Sequence, residues 1–311
     1  SSDVCSSDLI RRDYSEDDLP EVDLGELNRR LAKATYAYNT APDPDMGGLS
    51  PDQVFRLIHS SWDRPDSPIR FNTDLPLVEL EKSTFFREAR AVLTAIRDAG
   101  GVRATSSKKL ARPFVAQMLE LLCDQETLSF LQRHRKVVNE GDVPPIHIAR
   151  VVAQIAGLIR IHKGKLTVPK AKAPLLSEGQ AGELFRCLFV AFFRKFNMAY
   201  ARPLVFELAS IQTCIGYSLW RIGVVASRWR PVRGLEMQLL LPAVRENVED
   251  EIGGNPYWSV NKILEWCLFS PMLQWGLLEM RHKQVSKHLE ELEAVRITPL
   301  FRKFLRFDLE T

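Results

Sequence analysis

Arg160, Lys163, Lys165, Lys170 and Lys172 cluster around one short stretch of chain, and four of the five are lysines. Basic residues gathered at that density meet polyanions, either the phosphates of a nucleic-acid backbone or the carboxylates of an acidic protein surface. The other residue types that do chemistry are dispersed. Cys123, Cys187, Cys214 and Cys267 lie 64, 27 and 53 residues apart, with no Cys-x-x-Cys and no nearby His-x-x-x-His, which argues against a compact zinc site. His59, His134, His147, His162, His282 and His288 are scattered. The densest carboxylate run, Glu246 to Glu251 before Gly253-Gly254, has no histidine beside it and reads as a solvated loop. There is no Walker loop, no Gly-x-Gly-x-x-Gly after a strand, no Gly-x-Ser-x-Gly elbow and no His-Glu-x-x-His. The expectation is a non-enzymatic protein with no catalytic residue, no metal and no cofactor; a triad assembled only in space leaves no trace in spacing.

The chain has 311 residues, 45% hydrophobic and 26% charged, which disfavours disorder, collagen-like structure and a dense disulfide scaffold. At roughly 150 residues per domain it holds two domains or three. Its greasiest stretch, Leu184 to Phe196, carries Arg186, Arg194 and Lys195 and falls short of the ~18 to 20 apolar residues of a membrane span, so no membrane is expected. The four cysteines sit among apolar neighbours, as in Trp266-Cys267-Leu268, and read as buried free thiols in a reducing, cytoplasmic protein.

Residues 1–9 back-translate to AGT TCA GAC GTG TGC TCT TCC GAT CT, which resembles a sequencing-library adapter read in frame. They are set aside from the fold. The chain has no initiator Met, and the expectation is a gene that extends upstream. Net charge is +3 overall but uneven: −7 over residues 1–100, +7 over 101–180 and +3 over 181–311. The acidic run Asp13, Glu16, Asp17, Asp18, Glu21 and Asp23 reads as a solvated lead into a helix.

Helical spacing dominates the rest. Leu24, Leu27, Leu31, Ala34 and Tyr38 predict a helix over about 21–39. Ser50-Pro51-Asp52-Gln53 is a helix start signal, and the helix it opens runs to about His59. Ser83 caps a helix whose apolar face is Phe85, Phe86, Ala89, Val92, Leu93 and Ile96, stopped by Gly100-Gly101. Val102 to Thr105 alternates like a strand, and a helix follows from Pro113. Pro144-Pro145 opens another, with Ile148, Val151, Val152, Ile155 and Ala156 as its apolar face. Gly157 to Val168 then changes period and predicts two strands around a Lys163-Gly164 turn. Leu184, Phe185, Leu188, Phe189, Phe192, Phe193 and Phe196 form a core stripe, and helices are expected over 211–222 and 235–248.

Helix, small turn, basic hairpin, strand and further helix is the order of a winged-helix domain, which residues 146–176 resemble. Trp275 to Arg281 with Val295 to Leu305 repeats that ending, and Val-Arg-x-Thr occurs at both 102–105 and 295–298. The predicted fold is mainly α with short β-hairpins: helical bundle elements plus two winged-helix-like units, with 102–115 as a possible third element. The expected divisions are an acidic helical region over 10–100, a basic winged-helix-like domain over 101–180, and a helical domain over 181–311 ending in the second unit.

Gly48 to Val54, Gly101 to Thr105 and Val137 to Pro145 resemble an uncharacterised bacterial family associated with plasmid or transposon passenger genes; the resemblance covers most of residues 20–311 and implies no activity. Two functions stay open. One is non-specific binding of duplex DNA through the wing residues Arg160, Lys163, Lys165, Lys170 and Lys172, since the helix before the wing offers only His147, Arg150 and Gln154 for base readout. The alternative is a protein-protein interaction scaffold whose basic wing faces an acidic partner. Deleting residues 1–9 is expected to leave the melting temperature unchanged; a fall of more than about 4 to 8 °C would make them structural.

Overall fold

The computed structural model describes residues 24–309 except 125, 127, 130–132, 134–136, 202–208 and 287–288. The adapter-like stretch, the acidic run 13–23, His134, Arg135, Lys136 and His288 lie outside the described residues. A boundary between two compact units falls between Gln53 and Val54.

In the first unit, helix α1 (Leu24–Thr40) presents Leu24, Leu27 and Leu31 to solvent, all at least half exposed. Glu26 braces it through ion pairs to Arg29 and Arg30 at 2.9 and 2.7 Å. Asp43 caps a 3-10 turn at Pro44–Met46 and bridges Leu49. The start signal at Ser50 is a reciprocal cap: Ser50 N–H donates to Gln53 Oε1 at 2.9 Å and Gln53 N–H to Ser50 Oγ at 3.3 Å. It opens α2 (Pro51–His59).

The second unit is mainly α with short antiparallel hairpins, as its spacing predicts. After β1 (Ile69–Phe71) come α3 (Thr84–Asp98), β2 (Val102–Arg103), α4 (Arg112–Leu122), α5 (Pro144–Ile155) and the hairpin β3 (Arg160–His162) and β4 (Lys165–Thr167). A 3-10 segment at Lys170–Leu176 leads to α6 (Ala181–Val190), which runs on as a π-helical turn, Ala191–Lys195. Then α7 (Ile215–Val225), β5 (Arg230–Pro231), α8 (Pro242–Ile252), and α9 (Val260–Leu264), joined by a π turn at Glu265–Phe269 to α10 (Ser270–Gln274), lead to the long hairpin β6 (Leu278–Ser286) and β7 (Leu289–Ile297). The chain closes with α11 (Pro299–Phe304) and β8 (Leu305–Phe307), which pairs antiparallel with β1.

One order of elements occurs twice. Helix α3, strand β2, helices α4 and α5 and hairpin β3–β4 make a three-stranded sheet ordered β2-β4-β3. Helix α7, strand β5, helices α8 and α9–α10 and hairpin β6–β7 make one ordered β5-β7-β6. In both, the helix before the hairpin ends on a left-handed glycine, Gly157 (φ 70°) or Gly276 (φ 68°). The next N–H reaches back to close the helix, Leu158 to Ala153 O at 2.9 Å and Leu277 to Met272 O at 2.8 Å.

This pairing reassigns two sequence features. Residues 102–115 are no third element, because Val102 pairs with Leu166 inside the first sheet. Val-Arg-x-Thr marks no equivalent positions either: one copy opens the first sheet in β2, while the other ends the last strand of the second, β7. Contacts also cross residue 100, since α3 packs along α5.

Aromatic burial organises the core. The predicted stripe of α6 is buried from Leu184 to Phe196, and Trp275, fully buried, stands within 6.0 Å ring-to-ring of Phe85, Phe185, Phe189, Phe192 and Phe193. Phe304 joins through Phe185 at 4.7 Å and Phe189 at 5.2 Å. Ser83, completely buried, accepts from Phe86 N–H to start α3 and donates to Gln274 O at the end of α10, stitching the two repeats together. The run Glu246 to Glu251 is helical rather than a loop, because Pro242 starts α8 at its first turn and Gly253 (φ 59°) stops it.

Gly182, on α6, lets the helix meet the backbone of Thr73: a Cβ there would stand 1.9 Å from Thr73 O. Gly182→Ala is expected to destabilise by at least the ~1–3 kcal/mol of core overpacking, whereas Gly179→Ala, with nothing within 4 Å of the new methyl, leaves the urea midpoint nearly unchanged.

Candidate nucleic-acid interface

Strand register decides which basic residues share a surface. In the first sheet Arg103 lies opposite Lys165, and Lys165 opposite His162, so three basic side chains form one cross-strand row. Side chains alternate along a strand. The neighbouring row Val102, Leu166 and Ile161 therefore takes the other face, with Leu166 fully buried beneath it. Arg160, two residues before His162 and paired with Thr167, falls on the outer face with the basic row. All four of these basic residues are exposed.

The tip is built by a two-residue turn in which both Lys163 (φ 48°) and Gly164 (φ 73°) are left-handed, the geometry that matches strand twist. Ala104 N–H donates to Gly164 O at 2.9 Å, and the Ala104–Leu110 bridge closes the loop after β2, which carries the exposed Lys108. Among the described residues, Arg103, Arg160, Lys163 and Lys165 make no ion pair with a carboxylate. Like charges directly opposite in a sheet are destabilising, and an anion lying across the row relieves that repulsion.

The five residues singled out by sequence thus divide. Arg160, Lys163 and Lys165 come together on the hairpin, while Lys170 and Lys172 sit on the following 3-10 segment. Lys172 has a domestic neighbour: hydrogen bonds from Arg186 hold the Glu183 carboxyl below its ordinary value against desolvation, and the Lys172 charge adds a smaller pull the same way. Sequence reasoning missed Arg103, His162 and Lys108 as members of this surface. Arg103 and His162 each alternate with an apolar neighbour, but the pairing that aligns them spans 62 residues from Arg103 to Lys165.

The helix ahead of the hairpin faces the other way. Of the predicted face Ile148, Val151, Val152, Ile155 and Ala156, helix α5 fully buries only Val152; Ile146, Ala149, Arg150 and Ala153 are buried with it, because the helix is covered by α3 on one flank and by the π turn after α6 on another. Its polar side chains point into a buried network around Glu140, whose carboxylate is completely covered. His147 Nδ1 donates to Glu140 Oε1 at 2.5 Å, Arg150 Nε donates to the same oxygen at 2.9 Å, and Leu110 N–H donates to Oε2. Arg150 also holds Gln154 Oε1 at 2.8 Å, and His147 Nε2 lies 2.9 Å from the Tyr200 hydroxyl. Burial works to raise the Glu140 pKa, but the His147 and Leu110 hydrogen bonds and the Arg150 charge outweigh it and hold the carboxyl below the ordinary range. His147, Arg150 and Gln154 are committed to this network.

The second hairpin balances its own charge. Residues 277–298 contain four basic and four acidic residues, and both arginines pair across the strands: Arg281 to Glu293 at 2.9 Å, Arg296 Nε to Glu279 at 3.0 Å. Both arginines also stack on Trp229, at 5.0 and 4.8 Å from its ring. Between Gly157 and Ser177, by contrast, five Lys and Arg stand with no Asp or Glu.

Residues 81–181, about a third of the 311-residue chain, match the family described as Y4jL N-terminal domain. The match opens two residues before the Ser83 cap and closes at the first residue of α6, so it frames the first repeat and its 3-10 segment. No curated protein and no solved structure matches the chain.

Glu140→Gln leaves the buried Arg150 guanidinium without its counter-charge and is expected to cost about 3–5 kcal/mol, read from urea unfolding at pH 7. The folded pKa of Glu140 lies below its ordinary value of 4.5, so its contribution is whole above that value and is lost as pH falls through the lower folded one. The acid-unfolding curve of the variant should lack this component.

Proposed function

We propose that the first repeat is a winged-helix unit that binds duplex nucleic acid without sequence preference, laying the outer face of its sheet along the phosphate backbone. The observation that carries the proposal is the exposed basic row Arg103, Lys165 and His162 with Arg160 and the tip Lys163, unpaired with carboxylates among the described residues. Phosphate contacts position a protein on a duplex, while base contacts specify sequence. The helix that would enter a major groove is packed on two flanks and its His147 and Arg150 hold Glu140, which is why base readout is not part of the proposal. The second repeat, with its self-paired hairpin, serves in this reading as a packing module. The free thiols of Cys123, Cys187, Cys214 and Cys267 fit a reducing, cytoplasmic setting. Among the described residues no helix is long and apolar enough to cross a membrane.

A second reading has its own support. Burial of α5 removes the usual DNA-reading element, and the same basic sheet face would suit an acidic protein surface.

Fluorescence anisotropy with two unrelated duplexes decides between them. Binding should weaken with salt at a slope of about −0.9 per phosphate neutralised, with little difference between the duplexes. Lys163→Ala with Lys165→Ala should reduce that slope by up to ~2, and adding Arg103→Ala by up to ~1 more. No association at ~50 mM salt, or binding indifferent to these substitutions, would transfer the basic face to an acidic protein partner.

A further inference from the structure

A cleft of about 370 Å³ opens where the two repeats meet, within the second unit and away from the basic hairpin. Helix α3 contributes Phe85 and Glu88, α5 contributes Ile148, and the π turn after α6 and the segment beyond it contribute Phe192 and Phe196. The π turn between α9 and α10 adds Trp266 from the second repeat. The aromatic wall is continuous: Phe85 and Phe192 lie 5.2 Å apart edge to face, and Phe192 and Phe196 lie 5.6 Å apart. The volume is at the small end of the range for small-molecule sites.

Glu88 is the one acidic or basic residue among the described residues that line this space. Its neighbours on α3 are engaged elsewhere. Arg87 donates to the Glu81 carbonyl and to Thr84 Oγ1, and Arg90 reaches the Glu81 carboxylate at 3.6 Å. No described cation forms an ion pair with Glu88. Burial pushes its carboxyl up to about 7, and the Arg87 charge only partly offsets this. A half-buried carboxylate beside aromatic rings, without a cation of its own, is complementary to a cation brought in by a ligand.

Backbone donors would reverse that preference, because helix N-termini attract anions. At α5 prolines remove two of them, since Pro144 and Pro145 open that helix without an N–H, and at the start of α3 the Phe86 N–H is taken up by Ser83 Oγ. The remaining polar lining, Thr84, Ser270 and Gln274, is neutral.

We propose that the cleft binds a compact organic cation, an aryl-alkyl ammonium ion, whose charge is met by Glu88 and whose apolar body lies against Phe85, Phe192, Phe196 and Trp266. The site is independent of the phosphate-binding reading, since it shares no residue with the basic sheet.

The test uses the whole chain at pH 8, titrated with 2-phenylethylammonium, with neutral 2-phenylethanol and with anionic 3-phenylpropionate, followed by calorimetry and ligand-observed NMR. The ammonium ion should bind saturably and more tightly than either comparator. Glu88→Gln should weaken it about tenfold or more while changing 2-phenylethanol affinity less than about twofold. Glu88→Asp, which keeps the charge, should retain the preference for the cation, and Ile148→Trp, which fills the cleft, should abolish binding of both ligands. If Glu88→Gln fails to fold, the aspartate and tryptophan variants carry the same decision. Equal or tighter binding of the anion, a cation affinity unchanged by the folded Gln variant or by Ile148→Trp, or no saturable binding of the ammonium ion at ~10 mM, near the millimolar scale of weak ligands, would overturn the proposal.

Discussion

Both repeats are held by one buried aromatic cluster, and its geometry constrains every other surface of the second unit. Trp275, from the end of the second repeat's third helix, meets Phe85 from the first helix of the first repeat and four phenylalanines of α6 and its π turn. Edge-to-face pairs such as Phe185–Trp275 at 90° and Phe185–Phe304 at 83° contribute about 0.5–1.5 kcal/mol each beyond the area they bury. That is enough to outweigh a local defect, the buried Trp275 Nε1, which has no hydrogen-bond partner among the described residues. Since α6 is the post on which this cluster stands, the close approach at Gly182 and the Ser83 stitch to Gln274 act to keep the same helices in register.

The cluster also determines what the third helices can do. Both α5 and the α9–α10 segment are drawn inward, so a helix that would otherwise be free to enter a groove has its polar side chains turned to interior tasks. Glu140 is the clearest consequence. A carboxylate this deeply covered persists only because His147, Arg150 and the Leu110 N–H all satisfy it, and the charge of Arg150 is tolerated for the reciprocal reason. What remains exposed is the hairpin.

The two hairpins then diverge through charge while their strand order stays the same. In the second, Arg296 pairs with the Glu279 that faces it, Arg281 reaches across the strands to Glu293, and both arginines lie over Trp229. Cross-strand pairing in the first aligns Arg103, Lys165 and His162 and leaves them facing solvent. One topology thus yields a self-contained face and a face electrostatically open to an anion.

Local signals were fully legible in the sequence. The Ser83 cap, the buried face from Phe85 to Ile96, the Ser50 to Gln53 capping box, the Lys163-Gly164 turn and the core stripe of α6 each depend on neighbours within a few residues, where helix and strand periodicity speak directly. Arg160, Lys163 and Lys165 were legible as a group for the same reason. The tertiary structure alone decided that β2 completes the first sheet, that Arg103 and His162 join its basic row, and that Val-Arg-x-Thr marks unlike strands. It alone turned His147 and Arg150 toward Glu140 and rotated the buried face of α5 away from Ile148 and Ile155, because that helix is covered on more than one side and a single apolar stripe cannot report it. Hydrophobic periodicity records which face of an element is buried; which distant element buries it is set by packing between segments far apart in the chain.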